Sequence, residues 1–165
     1  MNRRSKLILA TSVIAPTLAW SQPTSFDNLT CQSNIEQELT SRQMPNDPVA
    51  KLEARYKALK LQDEGADEVG SQLNVIFWKI CDDQYVLLQK KDRVQAVLKI
   101  PEQYRANGPV INCVPLNKAK KGYYIGVPGK LDGKINRPEA AWLLDEKQMK
   151  FVPAEPASLQ CERDP

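Results

Sequence analysis

Four cysteines and a complete lack of histidine set the chemical range of this 165-residue chain. Without imidazole there is no Ser-His or Cys-His nucleophile and no histidine general base, and no GxSxG, Walker or GxGxxG pattern appears. The cysteines, Cys31, Cys81, Cys113 and Cys161, are even in number and widely spaced. A sulfur-ligated zinc site wants close pairs of ligands, so this spacing favours two structural disulfides and no metal. Three pairings satisfy the count. Joining Cys31 to Cys81 and Cys113 to Cys161 closes two loops of about fifty residues, each contributing roughly 4 kcal/mol in the chain-entropy model.

Carboxylates are the remaining catalytic candidates. A glycosidase needs two acids facing each other across a cleft, roughly 5 to 9 Å apart. Asp82 and Asp83 are adjacent at an expected hairpin tip, where their side chains diverge into water. Asp63, Glu64, Asp67 and Glu68 lack the alternating oxygen spacing of a calcium-binding EF-hand loop. No residue is therefore assigned to catalysis, to a cofactor or to a metal. The cations carry the positive signal. Lys79, Lys90, Lys91, Arg93 and Lys99 surround Phe77 and Leu88 on what the strand pattern makes the outer face of a sheet, and Lys118, Lys120 and Lys121 extend the patch. Apolar groups rimmed by charge are the anatomy of a protein interface. These residues point to a protein partner with an acidic surface.

The elements that must position this patch begin with residues 75–100, which read as three consecutive antiparallel strands. Asp82-Asp83 and Lys91-Asp92 interrupt segments rich in Val, Ile, Tyr, Phe and Trp. With tight turns, Trp78 faces Leu87 and Tyr85 faces Leu98. One side then collects Ile76, Trp78, Ile80, Tyr85, Leu87, Val94, Ala96, Leu98 and Ile100 as core, and the other collects Phe77, Cys81, Val86, Leu88 and Val97 among the cations. Neither turn carries Asn-Gly or Asp-Gly, so a one-residue slip would exchange the faces of a strand.

Ahead of the strands, Ser33 and Glu36 form a capping box for a short helix with Cys31, Ile35 and Leu39 on one side. Asp47-Pro48 opens a second helix whose stripe is Val49, Leu52, Tyr56 and Leu59. Residues 62–70 read as an acidic loop. Beyond the strands, residues 110–114 and 122–127 are two further strands, and 140–152 a last hairpin with Trp142 and Phe151 in the core. Residues 22–30 are expected to be mobile, and the tail 153–165 is loose unless Cys161 is bridged. Asn28-Leu29-Thr30 matches a glycosylation acceptor.

Residues 1–21 have the form of a secretory signal peptide: Arg3, Arg4 and Lys6, an apolar run, then Ala19-Trp20-Ser21 as the cleavage site. Its removal takes away three of the 23 cations and none of the 20 acids, so the mature chain is neutral. Global charge thus gives no case for nucleic acid as a partner. The run is too short, and broken by Pro16, to anchor the chain in a membrane.

The expected fold is a single α+β domain over residues 22–165, with helices in 31–61 packed on an antiparallel meander or small, partly open barrel in 74–152, and two disulfides. This format is similar to that of bacterial periplasmic inhibitors and immunity proteins. The expected function is that of a periplasmic or extracellular, non-enzymatic binding protein, an inhibitor or immunity protein against an envelope-directed enzyme or toxin. An accessory or assembly factor of the cell envelope that offers a sheet edge to a partner strand is one alternative. A carboxylate-dependent glycan hydrolase is another.

Overall fold

The computed structural model of the chain describes residues 24–70, 72–107, 110–117, 121–132 and 135–161. The expected signal peptide, Lys118 and Lys120 lie outside them. The fold is mostly β, with a few short helices and two disulfides.

The chain is packed from its first described residues. Phe26, expected in a mobile segment, is 1% exposed, with its ring centroid 5.5 Å from those of both Tyr56 and Trp78. An aromatic flanked by polar residues has no periodicity to announce it, and only the surrounding groove makes it core. Helix α1 (Ile35–Leu39) is capped by Asn34, whose side chain accepts from the Gln37 amide at 3.2 Å. The expected cap, Ser33, instead accepts from the Thr30 amide at 3.0 Å, one turn earlier. Helix α2 (Val49–Arg55) is shorter than its stripe suggests and passes into a single 3-10 turn, Lys57–Leu59. Leu52 and Leu59 are buried, while Val49 is exposed.

The first sheet has the order β1 (Gln62–Gly70), β2 (Leu73–Ile80), β3 (Asp83–Lys90) and β4 (Arg93–Lys99), all antiparallel. The expected acidic loop is thus an edge strand. Acids and glycine are poor strand formers, so β1 is held by its ladder to β2, and the register shifts between Asp63 and Gly65 and between Glu68 and Gly70 absorb the misfit. Gly65 takes φ +114°, which a side chain would resist. Between β2 and β3 the turn is Cys81-Asp82, with φ +53° and +71°, the primed geometry that matches strand twist. Trp78 therefore faces Tyr85 rather than Leu87. A shift of two residues keeps the side chains of both strands on their expected faces, while Cys81, expected on the outer face, sits in the turn and packs toward the helical layer, to which its bridge with Cys31 ties it.

In β4 the outcome differs. Gln89 faces Val94, but Leu88 faces Ala96, so Gln95 is an extra residue and the strand beyond it is out of step by one. The bulge sends Ala96, Leu98 and Ile100 to the face expected to be outer and brings Val97 to the other. The two faces of the sheet are buried against different elements. Trp78, Ile80, Tyr85, Leu87 and Val94 pack with Phe26, Leu29, Ile35, Leu39, Leu52 and Leu59 of the helical layer. Val75, Phe77, Val86, Leu88 and Ile100 pack with Val110, Ile125, Val127, Trp142 and Leu144 of a second sheet.

That second sheet is built from β5 (Ile111–Pro115), β6 (Tyr124–Asp132), β7 (Ile135–Asp145), β8 (Lys150–Ala154) and β9 (Leu159–Cys161). Strands β6, β5, β9 and β7 follow one another and β7 pairs back with β6, closing a four-strand ring, with β8 added outside β7. The expectation of one meander or partly open barrel thus becomes an open sheet beside a closed ring. The tail is part of the ring: Cys161 sits directly opposite Cys113, to which it is bonded. Their sulfurs lie over Gly126, where a Cβ would come within 2.6 Å of the Cys113 sulfur and 3.1 Å of the Cys161 sulfur. Glycine is required there because only a bare backbone leaves room for the bridge.

Candidate partner-binding surface

The seven residues expected to form one patch fall into four places. Phe77 and Leu88 are 7% and 0% exposed, under the second sheet. They cannot meet a partner in the folded chain. The cause is that β3 is buried on both faces, and its unbroken run Tyr85, Val86, Leu87 and Leu88 is the sequence signal for such a strand.

Lys99 lies on the opposite face of the sheet because the Gln95 bulge precedes it. Its ammonium is 2.7 Å from an Asp83 carboxylate oxygen and 5.9 Å from the centroid of the Tyr85 ring. The hydrogen bond to Asp83 holds its pKa above the ordinary lysine value. Burial pushes the Asp83 carboxyl up, but the hydrogen bonds from Lys99 and Arg105 outweigh it and leave it below the ordinary carboxylate value. This is an ion-pair cluster of the fold. Lys79 is half-buried on β2, paired with Gln62 of β1. Burial raises the Glu64 pKa, and the charge of Lys79 works against that rise.

Lys90, Lys91 and Arg93 remain together and exposed, at the tip of the β3–β4 hairpin. Lys91 takes φ +57° in the turn. The tip is tied on both sides. The Lys91 amide donates to the Gln72 carbonyl at 3.0 Å and the Met44 amide to the Asp92 carbonyl at 2.7 Å. The Gln43 side-chain amide donates to the Asp92 carboxylate at 2.9 Å, and an Arg93 guanidinium N–H to the Ser41 carbonyl at 3.3 Å. Residues 41–44 thus cover the start of β4 and hold the backbone of the tip in place.

The acids are distributed in the same structural way. Asp82 accepts from Lys60 at 2.5 Å, a hydrogen bond that lowers its pKa, while Asp83 turns to Lys99 and Arg105. Asp67 accepts from the Tyr123 hydroxyl at 2.6 Å and the Asn112 amide at 2.8 Å, tying β1 to the second sheet; burial, then this bond, raises the Tyr123 pKa. Among the described residues no group of three or more His, Cys, Asp or Glu is placed to hold a metal ion. Large exposed apolar side chains there are limited to Val49, Val114 and Leu116, too few for an extended apolar interface. The cations Lys90, Lys91 and Arg93, expected around an apolar sheet face, thus form a polar hairpin end instead. Compared with known proteins, the chain matches no family model, no curated protein and no solved structure.

Proposed function

We propose that this chain is an exported, non-enzymatic binding protein of the inhibitor or immunity type, which presents the β3–β4 hairpin tip to an acidic patch on a protein partner. The observation that carries this reading is the exposed group Lys90, Lys91 and Arg93 on a hairpin whose strands are buried on both faces. A hairpin backbone that is already tied in place loses little freedom on binding, and complementary charge speeds encounter and fixes orientation. Two disulfides fit an oxidising compartment, and no described helix is long and apolar enough to cross a membrane. The hydrolase alternative gains no support from Asp82 and Asp83, which engage different cations. The sheet-edge alternative gains none from β1, whose acids and register shifts blunt it against strand addition.

The test is affinity capture from envelope extracts with the mature chain, run beside Lys90→Glu/Arg93→Glu. A partner should be retained by the unaltered chain, released by moderate salt, and lost with the double variant while the circular dichroism spectrum and Tm stay unchanged. Retention by the variant, or no specific capture at all, would overturn the proposal.

A further inference from the structure

The two disulfides occupy opposite environments. Cys31 lies at the surface in the turn before α1, and Cys81 is half-buried in the β2–β3 turn. Their bridge ties the helical layer to the first sheet at its rim. The bridge between Cys113 and Cys161 is enclosed. Those residues are 4% and 2% exposed, and their sulfurs sit over Gly126, with Pro138 against the same spot. Thiol–disulfide exchange requires the attacking sulfur to approach along the S–S axis, so access decides which bridge reacts in the folded state.

We propose that the Cys31–Cys81 bridge is a site of thiol–disulfide exchange in the native protein, open to a dithiol reductant, while the Cys113–Cys161 bridge is closed to it. A thiolate of the dithiol attacks the Cys31 sulfur. The bond to the Cys81 sulfur breaks, and the electron pair leaves on Cys81, which takes up a proton from water. The second thiol of the reagent, as thiolate, then attacks its own sulfur in the mixed disulfide, freeing Cys31 and leaving the reagent as a cyclic disulfide. Two electrons pass from the dithiol to the protein bridge. The reduced protein keeps its ring intact and loses only the covalent tie at the rim. The helical layer then rests on its apolar contacts and on main-chain bonds such as that from the Cys81 amide to the Leu59 carbonyl at 2.7 Å.

The experiment uses the oxidised mature chain treated with dithiothreitol under native conditions, quenched with iodoacetamide at intervals and read by peptide mass spectrometry. Cys31 and Cys81 should become alkylated at least about tenfold faster than Cys113 and Cys161, at a rate proportional to dithiothreitol and flat in low urea. Joint release of all four cysteines, earlier release of the Cys113–Cys161 pair, or a rate for Cys31–Cys81 that climbs with urea as global unfolding does would each overturn the proposal. Amide exchange on the singly reduced species gives a second reading: protection should fall in residues 35–39 and hold in β6 and β7. Loss of protection in the ring would refute the claim that it stands without the rim bridge.

Discussion

Replacing Phe26 by Ala tests how the N-terminal segment is held. Its ring is 1% exposed and touches Tyr56 and Trp78, each at 5.5 Å between centroids. Withdrawing a phenylalanine from water is worth about 1.5–3 kcal/mol, and each tilted or edge-on aromatic pair adds about 0.5–1.5 kcal/mol. The cavity left between helical layer and sheet adds a further cost, so the expected loss is about 3–5 kcal/mol. That corresponds to a fall in Tm of about 10–20 °C for a chain of this size. Phe26 precedes Cys31 and lies outside both disulfide loops, so the bridges' entropic contribution cancels in the comparison. The assay is equilibrium urea unfolding of the oxidised chain prepared without residues 1–21, followed by the fluorescence of Trp78 and Trp142. A loss below about 1 kcal/mol would mean that the segment is peripheral, as its lack of sequence periodicity suggests.

Other perturbations follow from the same contacts. Gly126→Ala drives a Cβ into the Cys113 sulfur and Pro138 and should cost about 1–3 kcal/mol; an unchanged Tm would refute the close approach. Deleting Gln95 should be tolerated, because it removes the bulge and leaves Ala96 opposite Leu88. Deleting Val97 instead exchanges the faces of the residues beyond it and should abolish cooperative unfolding. Asp27 accepts from the Tyr56 hydroxyl at 2.7 Å and the Thr24 hydroxyl at 2.8 Å, and these bonds, Tyr56 first, lower its pKa. A depressed folded-state pKa contributes stability above the ordinary carboxylate range, lost as pH falls through the depressed value. Asp27→Asn should therefore lower Tm at pH 7, with the deficit closing as pH falls below the ordinary carboxylate range; a constant deficit would refute the assignment.

How far the fold was legible follows the range of each interaction. The strands of residues 75–100 were readable because alternation and turn residues act within a few positions, and an error of two at the Cys81-Asp82 turn left their faces unchanged. The Gln95 bulge was not readable. Val94, Gln95 and Ala96 alternate without interruption in sequence, and what forces the extra residue is the demand that Ala96 and Leu98 reach one core while Val94 reaches another. The acidic strand β1 was hidden for a related reason, since its partner β2 supplies what its own composition lacks. For the candidate surface, Lys90, Lys91 and Arg93 were expected on a sheet face and lie exposed at a hairpin tip, and Phe77 and Leu88 were placed with them because a second sheet is invisible from the first.

By itself, then, the sequence determined the chemical exclusions that follow from having no histidine, the reading of the widely spaced cysteines as disulfides, and the apolar identity of the central strands. These rest on residue types and on contacts between near neighbours. Tertiary structure decided which of those apolar residues face the helices and which face the ring. It also buried one disulfide over Gly126 while leaving the other at the rim, and reduced a broad basic face to one hairpin tip. Each of these outcomes depends on surfaces brought together from distant parts of the chain, where burial on both sides of a sheet outweighs the local alternation of its strands.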